Sequence, residues 1–268
     1  MIRLMRADLY RIFRGKAIYI TFAVIAIVIA LTVYVMRSSM VVGMQPGELG
    51  EDFENMLPVI HETMDGAIAA GMAINSMNNM IYFFLALIIG VGMAAFSSGA
   101  VRNEISVGIS RTKFYLTKLA LSSIICIAFV LAYFVLHVFM AATVGGLGEW
   151  GNGFFTDALI ALGAQMFFTV AMCSVGIFLC FVTRRTAAVN GLYLAFVLVP
   201  LLVVSLLMLR FPSAGEYFNY DLGNQFYIFA NTVRLSGREI ARGVAVGLAY
   251  ILVPTIGGIA LFKKAEIK

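Results

Sequence analysis

The stretch RNEISVGISRTKFYLTKL, residues 102–119, carries four basic residues and one acid between two of the most apolar runs in the chain. It is compatible with a helix and too short to be a domain. A charged segment of this kind reads as a loop joining two membrane spans, and composition supports that reading. The chain has 268 residues, 62% of them hydrophobic and only 12% charged. A soluble domain carries about 25% charged and about 45–50% apolar residues. Both deviations together imply an integral membrane protein.

A helix rises 1.5 Å per residue, so a hydrocarbon core about 30 Å thick takes about 20 apolar residues to cross. Six stretches meet that length: 17–36, 80–99, 118–144, 155–182, 187–209 and 241–262. The first is too long for the apolar region of a signal peptide, and no small-residue cleavage site follows it, so it is expected to stay in place. The fold expected is an all-α membrane protein of six transmembrane helices in one domain, 1–268.

Lys and Arg set the orientation of such a chain. One side collects Arg3, Arg6, Arg11, Arg14 and Lys16; Arg102, Arg111, Lys113 and Lys118; Arg184 and Arg185; and Lys263, Lys264 and Lys268. Those 14 basic residues share their side with Asp8, Glu104 and Glu266 alone, whereas the other side has five basic residues and eleven acids. The bias places both termini in the cytoplasm of a cell, most naturally behind a bacterial cytoplasmic membrane. It makes 37–79 and 210–240 extracellular segments. The former holds the acidic cluster Glu48, Glu51, Asp52 and Glu54 and a helix-compatible run from Glu51 to Ala73; the latter is rich in Tyr and Phe, rings that favour the interface. The basic residues form no single patch, so the net charge of +5 gives no reason to expect nucleic acid.

The N-terminal MIRLMRADLYRIFRGK, residues 1–16, has Met5, Leu9, Ile12 and Phe13 at helical spacing, with Arg3, Arg6 and Arg14 turned away. That pattern predicts an amphipathic helix lying in the interface, in contact with lipid.

The interior of the spans is nearly free of ionisable groups. His137 is the one clear exception, and a lone His on an apolar helix reads as a hydrogen-bonded packing residue. Ion-coupled transporters keep carboxylates, His or Lys in the bilayer as relays, so an ion-coupled secondary transporter or channel-like protein is the alternative, and a membrane scaffold a third. No HExxH helix and no phosphate-binding GxxxxGK[ST] loop is present. The reading is therefore of a non-enzyme that holds no cofactor or metal of its own. Cys126, Cys173 and Cys180 lack metal-ligand spacing and read as small buried hydrophobes. Small residues recur along the second span (Ala86, Gly90, Ala94, Ser98) and the sixth (Gly243, Gly247), as in close helix packing.

With these features in place, the chain resembles the ABC-2 type permeases, the type V fold of ABC exporters. The basic amphipathic helix before the first of six spans, the cytoplasmic termini and the longer outer segment before the last span carry the resemblance. So does the 102–119 loop, with Glu104, Gly108, ISR at 109–111 and FYLTK at 114–118. The long first outer loop is the least typical part. The resemblance implies a coupling helix over 102–116 that docks on a separate ATPase subunit, with Arg102, Glu104, Gly108, Ser110, Arg111 and Phe114 as its residues. It further implies a second permease subunit, and ATP and Mg on the partner ATPase. The many Phe, Tyr and Met residues favour a hydrophobic cargo, and the family allows amphipathic or antimicrobial peptides.

Overall fold

In a computed structural model, residues 2–42, 65–97, 99–151, 153–230 and 235–265 are described. Among them the secondary structure is entirely helical. Helix α1 (Ile2–Arg14) leads through Gly15 into α2 (Lys16–Val42). The acidic cluster of the first outer segment and most of the run expected from Glu51 lie outside the described residues. Chain description resumes with α3 (Gly66–Asn75), a 3-10 turn at Met77–Met80 and α4 (Ile81–Gly92). Two short helices follow, α5 (Ala94–Ser97) and α6 (Ala100–Ser106), and then the long helices α7 (Arg111–Gly145), α8 (Phe154–Thr183) and α9 (Thr186–Met208). The connection from α9 to α11 contains a 3-10 segment, Pro212–Tyr220, and α10 (Leu222–Ile228); α11 (Gly237–Lys264) closes the order.

Four helices, α7, α8, α9 and α11, are long and apolar enough to cross a membrane, and α3 with α4 makes a fifth if that bent pair is one span. In α2 the apolar stretch Tyr19–Tyr34 is shorter. The second span thus departs from the expected 80–99. The bent pair begins at Gly66 and turns by 57° at Ser76, between Asn75 and the 3-10 turn Met77–Met80. Asn75, Ser76, Asn78 and Asn79 explain the break, because short polar side chains compete with the helix for its own backbone groups. Ser76 Oγ, for instance, takes the Met72 carbonyl at 2.8 Å.

Local chemistry starts the other helices. Asp65 accepts from the Ile68 N–H (2.8 Å), Ser110 from Lys113, Asp221 from Asn224 (2.8 Å), and Ser236 and Glu239 form a capping box. The turn between α8 and α9 is only Arg184–Arg185, with Arg184 left-handed at φ 52° and its N–H closing on the Cys180 carbonyl at 3.0 Å.

Helix α8 is the centre: 61% of its most apolar window is buried, against 11% for α9. With no water to drive helices together in lipid, close contact has to hold them. Between α8 and α11 the contact is glycine against aromatic ring. A Cβ on Gly247 would strike Phe167, and one on Gly243 would strike Phe229 of the α9–α11 connection. The expected small-residue face of the sixth span therefore receives rings rather than a helix backbone. On α4 and α5 the small residues behave differently: Ala86 and Gly90 are exposed, with open space around Gly90, while Ala94 is half-buried. All three cysteines are buried and free.

Candidate functional site

The charged segments that the sequence assigns to one side do meet at one end of the bundle. Helix α1 packs Leu9 and Ile12 on the core, with Met5 half-buried beside them and Arg6 and Arg14 exposed. The side chains of Arg3 and Phe13 lie outside the described ones. Asp8, on the inward face, is 4% exposed and binds Lys118 Nζ at 2.7 Å. Lys118 is itself fully buried, one full turn and more into α7, with the Phe114 ring 5.2 Å from its ammonium. Two opposite charges removed from water must neutralise each other, so this pair joins α1 to α7 rigidly. In the sequence Lys118 reads as one more topological charge and Asp8 as a stray acid. The structure makes them a single buried unit.

Arg111, at the start of α7, turns to the end of α11. Its guanidinium donates to the carbonyls of Phe262 (3.0 Å), Lys263 (2.7 Å) and Ala265 (2.8 Å). The last carbonyls of a helix have no intrahelical donor, and a cation there also meets the negative end of the helix dipole. Phe114 is fully buried in a cluster with Phe181 of α8 and Phe262 of α11. Tyr115 beside it donates to the Pro254 carbonyl (3.3 Å), and its ring approaches α11 where only Gly258 leaves room. α1, α7, α8 and α11 are therefore locked together at this end.

From this anchored base the segment 99–110 projects. The single helix expected over 102–116 is two pieces, α6 and the first turn of α7. Gly108, at φ 93°, and Ser110, which caps α7, separate them. A left-handed residue such as Gly108 ends a helix, and glycine takes that conformation without steric cost. Arg102, Asn103, Ser106, Val107, Gly108 and Ser110 are exposed, Val107 by 82%, and Glu104 is half-buried. Of the six residues assigned to coupling, Arg102, Gly108 and Ser110 thus sit on the projecting surface. Arg111 and Phe114 belong to the base that holds it, and Glu104 lies between.

Sequence reasoning missed the polar contacts at the other end. Gln165, fully buried in α8, donates from Nε2 to the carbonyls of Ile74 (2.8 Å) and Phe226 (3.2 Å). One amide thus ties the end of α3 to α10. Leu222 and Phe226 are fully buried, so the α9–α11 connection inserts into the bundle, with Phe226 against Phe84 and Phe168. His137 is buried, with Nδ1 3.2 Å from the Tyr133 carbonyl, and Tyr133 bonds Ser76 Oγ across the helices at 2.8 Å. Among the described residues no group of His, Cys, Asp or Glu is placed to hold a metal ion.

The fold defines a helical protein with several helices suited to a multi-pass membrane arrangement. No protein-family model matches the chain, and it has no significant match among curated proteins.

Proposed function

We propose that this chain is the membrane-spanning subunit of an ATP-driven exporter of the ABC-2 type. In this reading six helices span a bacterial cytoplasmic membrane, both termini are cytoplasmic, and two such subunits work with two separate ATPase subunits that hold ATP and Mg. The observation that carries the proposal is the pair of features at the charged end. A short helix, α6, with an exposed polar edge and an exposed apolar tip at Val107, stands on a base of four helices locked together. Such a lever transmits a push from a soluble partner into the spans, because little at its foot can yield. The cargo we assign is an amphipathic peptide or a similar hydrophobic compound. The support for it is the scarcity of fixed charge in the spans and the acidic balance of the outer segments.

The test is affinity purification of the tagged chain in mild detergent, with identification of bound P-loop ATPase and measurement of ATP hydrolysis. Arg102→Glu and Val107→Asp alter only exposed side chains, so both variants should insert and melt as wild type. They should lose the ATPase: truncating one partner of a desolvated charge pair, as at Arg102, costs about 2–5 kcal/mol, and Val107→Asp puts an unpaired charge on an apolar contact. Hosts expressing the complete assembly should survive cationic amphipathic peptides better than hosts with either variant. Wild-type preparations without ATPase, or variants that keep it, would sink the reading.

A further inference from the structure

At the end of the bundle away from the charged base, the break in the second span borders a cavity of about 120 Å3. Three elements meet there: the 3-10 turn Met77–Met80, α9, and the α9–α11 connection, 212–228. A cavity holds a water once it offers roughly 10–15 Å3 to a water-sized probe, so the space takes several small groups. That is room for a small polar headgroup.

The lining is asymmetric in chemistry. Asn78, Asn79 and Asp221 supply polar groups, and Val197 and Leu201 of α9 supply an apolar wall. Asn224 also borders the cavity, but its amide is committed to the Phe218 carbonyl at 3.0 Å. Asp221 accepts from the N–H groups of Asn224, at 2.8 Å, and of Gly223. A carboxylate offers about four acceptor sites, so two N–H donors leave it unsaturated. Burial pushes its carboxyl above the usual carboxylate range in spite of those bonds. Among the described residues no Lys or Arg lies within ion-pair distance of it. The carboxamides of Asn78, half-buried, and Asn79, exposed, make no hydrogen bond among the described residues. One half-buried carboxylate and two carboxamide oxygens form an acceptor set for a small, donor-rich cation. An ammonium group has three donors in a compact head, whereas a quaternary ammonium has none.

We propose that this cavity binds the primary ammonium group of an amphiphile, whose apolar chain then lies along α9. Leu198, Leu201 and Leu202 are exposed on that helix by 38%, 48% and 59%, which provides the surface for the chain. The source is either a membrane lipid headgroup or a free amphiphilic amine; the chemistry at the cavity is the same. This site does not depend on the exporter reading, so it is tested on the isolated full chain without any ATPase.

Native mass spectrometry from neutral maltoside micelles, titrated with dodecylammonium, is the measurement. One saturable adduct is expected. Dodecyltrimethylammonium should bind roughly tenfold more weakly or worse, and so should dodecylammonium to Asp221→Asn, which keeps an oxygen to cap α10. Asn79→Leu, at an exposed side chain, should melt as wild type and also bind dodecylammonium more weakly. Overturning results are no saturable adduct on wild type, undiminished binding by both variants, or equal binding of the trimethylammonium compound. In nanodiscs of mixed phosphatidylethanolamine and phosphatidylcholine, enrichment of the ethanolamine lipid and its displacement by dodecylammonium identifies the lipid as source. Dodecylammonium binding without that enrichment identifies a free amine.

Discussion

Lys118 shows how one residue changes meaning between sequence and structure. In the sequence it is a cation at the mouth of a span; in the fold it is fully buried against Asp8. Removing one member of such a pair leaves a bare charge in an apolar setting, at a cost of about 3–5 kcal/mol, whereas replacing both with apolar residues is neutral or better. Lys118→Met alone should therefore lower the melting temperature sharply in detergent, and Asp8→Leu with Lys118→Met should restore it. If α1 positions the projecting α6 through this pair, the double variant will be stable and still bind the ATPase poorly. Differential scanning fluorimetry and the pull-down described above separate the two effects. Arg111 follows the same logic: its charge serves the α11 carbonyls, a contact 151 to 154 positions away along the chain.

At the scale of elements, the second span and the α9–α11 connection behave as one unit because Gln165 holds both. Gln165→Leu leaves two buried carbonyls without that donor, each worth about 1–3 kcal/mol. Hydrogen exchange should rise in 222–229 and in 70–75, while the α1–α7 contact stays protected. A second expectation concerns the start of α11, ahead of the apolar run. Both the hydroxyl and the N–H of Ser236 donate to Glu239, at 2.7 and 2.8 Å, and hold its carboxyl below the usual range near 4.5. A depressed carboxyl means that the unfolded turn binds more protons than the folded one. Its stabilisation is thus present above pH 4.5 and is lost as pH falls through the folded value. Exchange protection of 238–241, corrected for intrinsic rate, should drop on acidification. Glu239→Gln, which still completes a capping box, should keep its protection and lose the pH dependence.

For the molecule as a whole, one end gathers Asp8, Lys118, Arg111 and the C-terminal turn of α11, and the other gathers Asp65, Gln165, Asp221 and α10. The proposed orientation makes the first end cytoplasmic. Single cysteines at Ser106 and Thr186 should then resist impermeant thiol reagents on intact cells, and single cysteines at Gly151 and Ser213 should react; all four positions are exposed. The three native cysteines, each fully buried, should remain silent. Labelling at Ser106 from outside would reverse the orientation and remove the basis for a cytoplasmic coupling segment.

Several parts of this architecture were legible in the residues themselves. Long apolar runs, an amphipathic start with Leu9 and Ile12 on one face, and a charged interruption at 102–119 are local properties, because hydropathy and periodicity act within one helix length. The starts of α7 and α11 were local too, through Ser110 and the Ser236–Glu239 box. Other features exist only once distant segments touch. Sequence cannot distinguish Lys118 as a topological charge from Lys118 as half of a buried pair, since the difference is Asp8 arriving from 110 positions away. It cannot show that Gly243 and Gly247 accept rings while Gly90 faces open space, since that depends on which helix lies alongside. The break at Ser76–Met80 was written in its polar residues, but its use was not. Only the return of 212–228 onto the bundle brings Asp221 beside Asn78 and Asn79, and a cavity forms where an isolated strip of sequence has none.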